Sequence, residues 1–321
     1  MAEERSRRKS GWVFYVVLGL IVLALPLAYW MWFSEGPPPA PPPPPAVVQA
    51  PIDAGTPEPP EAVELRLADV GGTVEVSRGN AGWVPARKGE LLKESDAVRT
   101  GKDTNSYALL IGGEAIEVKM SPGTEMSVGE LTHEISRVML AEGVATAQVK
   151  GGGRHTFEVR ARGSDAVART GEGSFAISNN AGTVAVGTQS GQVELSGGGS
   201  VVIVRAGEKS VAYPNQAPSQ PAPIPSDLLL EVQWPGDRDR NRKNREIVVM
   251  GKTEPGVVLL VAGQSVPVSP DGKFTHTVNL TEGPNNVEVT ARSINGLAKH
   301  SQADFKLKTK VDKTTVTPKW E

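Results

Sequence analysis

The chain has 321 residues, a formal net charge of -2 and no cysteine. A near-neutral balance argues against a global electrostatic grip on nucleic acid. The missing thiol excludes disulfides, thiolate metal sites, a cysteine nucleophile and a lipid-modified N-terminal cysteine. The length leaves room for two or three modest domains once tails and linkers are set aside.

Residues 12–33 carry no charged side chain, from Trp12 to Phe33. As a helix they would reach ~33 Å, enough to cross a hydrocarbon core. Trp12 and Tyr15 stand at one end and Tyr29, Trp30 and Trp32 at the other, the two aromatic belts expected at lipid–water boundaries. Arg5, Arg7, Arg8 and Lys9 precede the stretch, while Ser34 to Pro60 contain Glu35, Asp53 and Glu58 and no Lys or Arg. The positive-inside rule therefore predicts a cytoplasmic tail over residues 1–11, a single-pass anchor in a bacterial inner membrane over 12–33, and the bulk of the chain in the periplasm. A cleaved signal peptide is the competing reading. The bulky run Tyr29-Trp30-Met31-Trp32-Phe33 is a poor cleavage region and no Ala-x-Ala lies near it.

Residues 34–63 form a proline-rich linker, with an unbroken run from Pro41 to Pro45. Proline fixes φ and removes the amide donor, so the segment prefers extended polyproline II and builds no core. At about 3.1 Å per residue its proline-rich part could hold a domain on the order of 70 Å off the membrane. A second proline cluster, residues 214–226, divides a region over 64–213 from a region over 227–321.

The 64–213 region reads as strands. Val74 and Val76 alternate with Thr73, Glu75 and Ser77, Ile116, Val118 and Met120 with Glu117 and Lys119, and Phe157, Val159 and Ala161 with Glu158, Arg160 and Arg162. Period-two patterning puts one face in a core and the other in water. Leu131, Ile135, Val138 and Met139 could form a helical stripe, but the segment is short and its neighbours are β-rich, so strand is expected. Trp83 follows a glycine turn and precedes Pro85. It caps the edge of the core or serves as an exposed anchor for a partner. Asp96, Arg99 and Thr100 are expected in a turn network.

The stretches Gly72-Thr-Val-Glu-Val, Gly82-Trp83-Val84-Pro85-Ala86, Ser95-Asp96-Ala97-Val98-Arg99-Thr100-Gly101 and Tyr107-Ala-Leu-Leu-Ile-Gly-Gly resemble the start of a FecR domain, named for the periplasmic iron-citrate regulator. The resemblance continues through Pro122-Gly-Thr-Glu125, Leu140-Ala-Glu-Gly143, Gly171-Glu-Gly-Ser-Phe175, Ser190-Gly-Gln-Val-Glu194 and Arg205-Ala-Gly-Glu208. Ser174 stands where the family usually has threonine. The resemblance covers Glu64 to Tyr213 and implies an all-β, solenoid-like stack of short strands.

In the 227–321 region seven short strands are expected: Leu228–Val232, Ile247–Met250, Val257–Val261, Val266–Val268, Phe274–Val278, Asn286–Ala291 and Phe305–Leu307. That count suggests a β-sandwich. Gly251-Lys-Thr-Glu-Pro-Gly256, Pro267-Val-Ser-Pro-Asp-Gly272-Lys-Phe274 and Leu280-Thr-Glu-Gly-Pro-Asn285 look like a bacterial Ig-like domain of the glucodextranase-B type, a module usually used for spacing, adhesion or binding. The first loop holds Arg238, Arg240, Arg242, Lys243 and Arg245 against Asp237 and Asp239. It reads as a solvated loop or as a contact for anionic lipid, cell-wall polymer or an acidic protein face. Asp237, Asp239 and Asn241 open like a calcium loop, but Arg242 and Val248 stand where the glycine and the final acid belong.

No chemistry emerges from the residues. His133, His155, His276 and His300 are far apart and show no ligand spacing. No Gly-x-Ser-x-Gly elbow is present, and Gly171 to Ala176 sits among strands, not at the opening of a helix. The expectation is a protein that is not an enzyme, with no catalytic, cofactor or metal site. Its expected role is a membrane-anchored scaffold whose partners are the bilayer, envelope proteins or cell-wall polymer. The alternative is transmembrane signalling of the FecR type. Residues 1–11 are too short for a helical anti-sigma region, so signalling would require a partner.

Overall fold

The computed structural model describes residues 18–20, 29, 64–79, 81–113, 115–132, 134–151, 155–236, 241–242 and 245–307. Most of the expected anchor, the 34–63 linker and the C-terminal tail lie outside these residues. Residues 18–20 and 29 are helical. Among the described residues no helix is long and apolar enough to cross a membrane. The rest is all-β, as the alternating patterns predict.

Residues 65–223 supply sixteen strands in chain order. They are β1 (Leu65–Gly71), β2 (Val74–Ser77), β3 (Trp83–Pro85), β4 (Leu91–Leu92), β5 (Ala97–Thr100), β6 (Tyr107–Gly112), β7 (Ile116–Met120) and β8 (Glu125–Leu131), then β9 (Ile135–Val149), β10 (Thr156–Ala161), β11 (Val167–Thr170), β12 (Gly173–Asn180), β13 (Thr183–Gly197), β14 (Ser200–Arg205), β15 (Glu208–Ala212) and β16 (Ala222–Pro223). The ambiguous segment around Ile135 is strand, as expected. All sixteen are bonded into one continuous sheet. That sheet folds over into two layers, not into the expected solenoid-like stack, because β9 and β13 each bend at a glycine and pair in both layers. The first layer runs β4-β1-β6-β7-β9-β12-β13-β15-β16. The second runs β3-β2-β5-β8-β9-β10-β11-β13-β14.

The long strands β9 and β13 belong to both layers. Residues 135–142 of β9 pair in the second layer and 143–149 in the first. Strands that switch sheets need a sharp bend, and glycine supplies it. Gly143 has φ +101° and Gly191 φ +73°. A Cβ on Gly143 would stand 2.5 Å from the Thr124 Cα. The polar groups freed at this corner are satisfied locally. Thr124 Oγ1 donates to the Val144 carbonyl at 3.0 Å and accepts the Val144 amide at 3.1 Å. Thr100 Oγ1 accepts the Thr124 amide at 2.9 Å and donates to the Ser121 carbonyl at 2.7 Å. Buried Asn179 donates from Nδ2 to the carbonyls of Leu140, Ala141 and Arg162 and accepts from the Gly182 amide. Between the layers lies one core, in which Leu67, Leu110, Leu140, Phe157, Phe175 and Leu195 are fully enclosed.

Residues 228–307 form a second lobe with its own core. Its strands are β17 (Leu230–Gln233), β18 (Asn241–Arg242), β19 (Glu246–Thr253), β20 (Val258–Val261), β21 (Gln264–Ser265), β22 (Lys273–Asn279), β23 (Gly283–Arg292) and β24 (Ala298–Leu307). One sheet runs β17-β19-β22 and the other β18-β24-β23-β20-β21. The expected strand at Val266–Val268 is not one. Pro267 and Pro270 cannot donate to a ladder, so the segment is irregular while Val266 and Val268 still fill the core. Trp234 packs beside Phe305 with ring centroids 6.1 Å apart and donates from Nε1 to Ser301 Oγ at 3.0 Å.

The corner geometry sets an expected contrast. Replacing Gly143 with alanine adds a steric clash to a left-handed φ and should cost roughly 2–5 kcal/mol. Gly199 also has positive φ, but a Cβ there meets nothing within 4 Å, so Gly199→Ala should cost about 1–2 kcal/mol. Urea unfolding of the two variants measures the difference.

Candidate functional site

The first layer of the large lobe is buried on both faces where β12 and β13 cross it. Phe175, Ile177 and Asn179 point into the core between the layers, so Ala176, Ser178 and Asn180 point outward. These outward residues are buried too, as are Ala185 on β13 and Val211 on β15. The second lobe covers them. Ala176, Ala185, Val211 and Ile294 form a small apolar cluster with Tyr213 packed against it. The approach is close because the outward side chains are small. A Cβ on Gly187 would stand 2.4 Å from Ile294 Cδ1, and one on Gly256 would stand 2.5 Å from the Ala185 Cβ.

Several polar groups across this seam are paired, while the buried Tyr213 hydroxyl beside it has no hydrogen-bond partner among the described residues. Ser178 Oγ donates to the Gly256 carbonyl at 2.6 Å. Asn180 donates from Nδ2 to the Val266 carbonyl at 2.8 Å and accepts at Oδ1 from Ser265 Oγ at 2.6 Å. Lys209 and Glu254 form an ion pair at 3.0 Å. At the rim Arg292 donates to the Pro122 carbonyl and Lys102 to the Gly263 carbonyl. Burial pushes the Arg292 guanidinium below its ordinary pKa. The proline cluster 214–226 lies along the large lobe: Ala222–Pro223 pair with β15, and Ser219 bonds Ser210 and Val211. A space of about 10 Å³ remains between Ala185, Lys209, Ile224, Glu254, Gly256 and Ile294. That is room for one water and for no ligand.

The second layer's outer face is open to solvent and carries a charge ladder. Glu194, Arg169, Glu158, Arg137 and Glu130 stand side by side on β13, β11, β10, β9 and β8. Glu158 is at its centre, with its side chain 1% exposed. It accepts from Arg137 Nε at 2.6 Å, Arg160 Nε at 2.8 Å and Arg169 Nη2 at 2.9 Å. Burial alone would raise its pKa, but the bonds from Arg169, Arg160 and Arg137 outweigh it and hold the carboxyl at about 2. Beside the ladder an open groove of about 680 Å³ runs past Thr170, Gly171, Glu172, Gly173, Ser190 and Gln192.

Trp83 lies on this same outer face, on the short strand β3 and outside the apolar core. It stands opposite Ser77. The Arg99 guanidinium sits 4.3 Å from its ring centroid and its Nε donates to Glu75 at 2.6 Å. Arg99 is thus turned away from Asp96 and Thr100, with which sequence reasoning grouped it. Asp96 accepts the Lys93 amide and an Arg78 bond, and Thr100 serves the corner. Of the basic loop, Arg245 is exposed and pairs with Glu282 at 3.3 Å. Arg242 has its backbone in β18 against Leu307, and Arg238, Arg240 and Lys243 lie outside the described residues. Among the described residues no group of three His, Asp or Glu side chains could hold a metal ion.

No protein-family model matches the chain, and no curated protein matches it. Among solved structures, two crystal structures of a candidate anti-sigma factor from Parabacteroides distasonis ATCC 8503 align weakly. One aligns at 20% identity over 40% of this chain and 59% of that one, with a TM-score of 0.34. The other aligns at 22% identity over 39% and 58%, with a TM-score of 0.33. The chain thus spans under two thirds of these proteins, and a likeness this slight carries no argument about fold or activity.

Glu158 should leave a signature in acid. Its folded pKa lies below the ordinary 4.5, so its stabilisation is complete above 4.5 and is lost as pH falls toward about 2. The amount is at most about 3 kcal/mol, and less because water screens the outer faces of the arginines. Unfolding followed between pH 5 and 2 should show this loss in the parent chain. It should be absent in Glu158→Gln, which should be destabilised already at pH 7.

Proposed function

We propose that this chain is a membrane-anchored scaffold of the bacterial envelope, held by residues 12–33 and presenting a FecR-like two-layered β lobe and an Ig-like sandwich to periplasmic partners. The observation that carries the reading is the seam. Two lobes of ordinary β architecture are fixed to each other by buried hydrogen bonds and by backbone approach through small residues. Two freely linked binding modules would need neither. A fixed pair offers one composite surface at a set orientation, which suits a protein that positions partners. The reading assigns no catalysis.

Photo-crosslinking in intact cells, followed by identification of captured molecules, tests the proposal. Envelope proteins or cell-wall fragments should be captured by the parent chain. Capture should fall several-fold for Ile294→Asp, which buries an unpaired charge in the seam and unseats the lobes. Recovery of a sigma or anti-sigma factor, lost when Met1 to Phe33 is exchanged for a cleavable leader, would replace the scaffold by signalling through a partner. Capture indifferent to Ile294→Asp would remove the role given to the seam.

A further inference from the structure

Every sheet in the protein has an outermost strand, and most are blunted in recognisable ways. At one end of the large lobe β4 has two residues and β3 ends on Pro85. At the other end β16 contains Pro223. In the second lobe β18 and β21 have two residues each. β17 carries Glu231, and β22 alternates Lys273, Thr275, Thr277 and Asn279 on its exposed face. Short length, proline and charge are the usual devices that keep an edge from pairing with another chain.

Strand β14 is neither short nor interrupted by proline, and its one charge, Arg205, stands at its very end. It reads Ser-Val-Val-Ile-Val-Arg and, among the described residues, pairs only with β13. Val201 is 61% exposed. The pairing phase follows from the turn. Gly198 and Gly199, with φ +54° and +74°, make a two-residue turn between Gly197 and Ser200. Gly197 and Ser200 are then the first bonded pair, Leu195 and Val202 the next. Val201 and Ile203 therefore aim their N–H and C=O groups at the open edge. The edge ends on one side at the glycine turn and on the other at Arg205, whose amide is taken by Glu208 at 3.0 Å.

We infer that β14 pairs antiparallel with β14 of a second copy of this chain, about a two-fold axis through Val202. The segment is complementary to itself. That axis sets Val201 against Ile203 of the second copy and Ile203 against its Val201, giving about four backbone hydrogen bonds. Val202 faces its own counterpart across the axis. Uncharged β-branched side chains meet throughout, the favourable cross-strand combination. Each Arg205 falls opposite Gly199 of the other chain, so no like charges meet. A two-fold contact of this kind closes on itself and leaves no further edge to extend. The second lobe covers the other layer of the sheet, so the contact leaves the seam untouched.

The contact is short and weak, so covalent trapping is the suitable readout. The full chain has no cysteine of its own, so a single Val202→Cys can only react with another copy. In the proposed pair the two residues at 202 are directly opposed and unbonded, the closer of the two antiparallel spacings. With the full chain in mild detergent under gentle oxidation, V202C should give at least tenfold more disulfide-linked dimer than V248C. Val248 is exposed on β19 and reads random collision. Adding Val201→Lys to V202C should return the yield to the V248C level, and an exposed position tolerates lysine without loss of the fold. A V202C yield no higher than that of V248C would overturn the inference. So would a yield that Val201→Lys leaves unchanged.

Discussion

The architecture depends on one close approach. Ala176, Ser178, Ala185 and Gly187 present almost no side-chain bulk on the outer face of β12 and β13. That lets the backbone at Gly256 and the side chain of Ile294 come to contact distance. Once the surfaces are this near, water is excluded and each polar group needs a partner of its own. Ser178, Asn180 and Ser265 supply those partners. Bulk on either side would separate the surfaces and strand these groups. Smallness and polarity at the seam are thus one constraint.

The constraint explains why the two layers of the large lobe differ. The first layer is buried on both faces, so its central strands lose the usual alternation: β12 from Phe175 to Asn180 is enclosed throughout. The second layer keeps one wet face and fills it with paired charges. Glu158 would be costly there alone, because burial opposes its ionised form. Three arginines reverse the balance. The arginines stay partly exposed, so the ladder is best seen as local rigidity across β8 to β13. Exposed pairs contribute little stability apiece.

Much of the fold was legible in the residues. Alternation identified strands such as Ile116–Met120, while the bends at Gly143 and Gly191 inside long strands carry no local mark of their own. The seam was not legible. Asn179-Asn180 reads as turn chemistry, yet Asn179 satisfies three carbonyls inside the lobe and Asn180 bonds the second lobe. Only the Asn179 bond to the Gly182 amide is local turn chemistry; the carbonyls these two residues bond lie 17 to 86 positions away. The proline cluster at 214–226 reads from composition as a break between two regions. Composition gives no account of Ser219 bonding Ser210 and Val211, which lays the segment along the lobe. Trp83 reads as a cap on the edge of the core or as an exposed anchor, and the structure places it on the outer face, outside the apolar core. Its neighbours Arg99 and Glu75 come from strand register, which a single sequence leaves open.

Surface available for partners follows from what the seam consumes. The second lobe takes the outer face of the first layer around β12, β13 and β15. The broad face left on the large lobe is that of the second layer. It runs from Trp83 under Arg99 at one edge, across the charge ladder, to Val201 and Ile203 at the other. Its centre is committed to internal ion pairs, so a partner bound there would have to displace strong charge-assisted bonds. Its two edges are not so committed. One ends in a proline that stops further pairing, and the other ends in a strand with open backbone groups. Recognition by side chains therefore suits the Trp83 edge, and recognition by backbone suits the β14 edge. A single layer can in this way meet two partners of different kinds without either disturbing the seam.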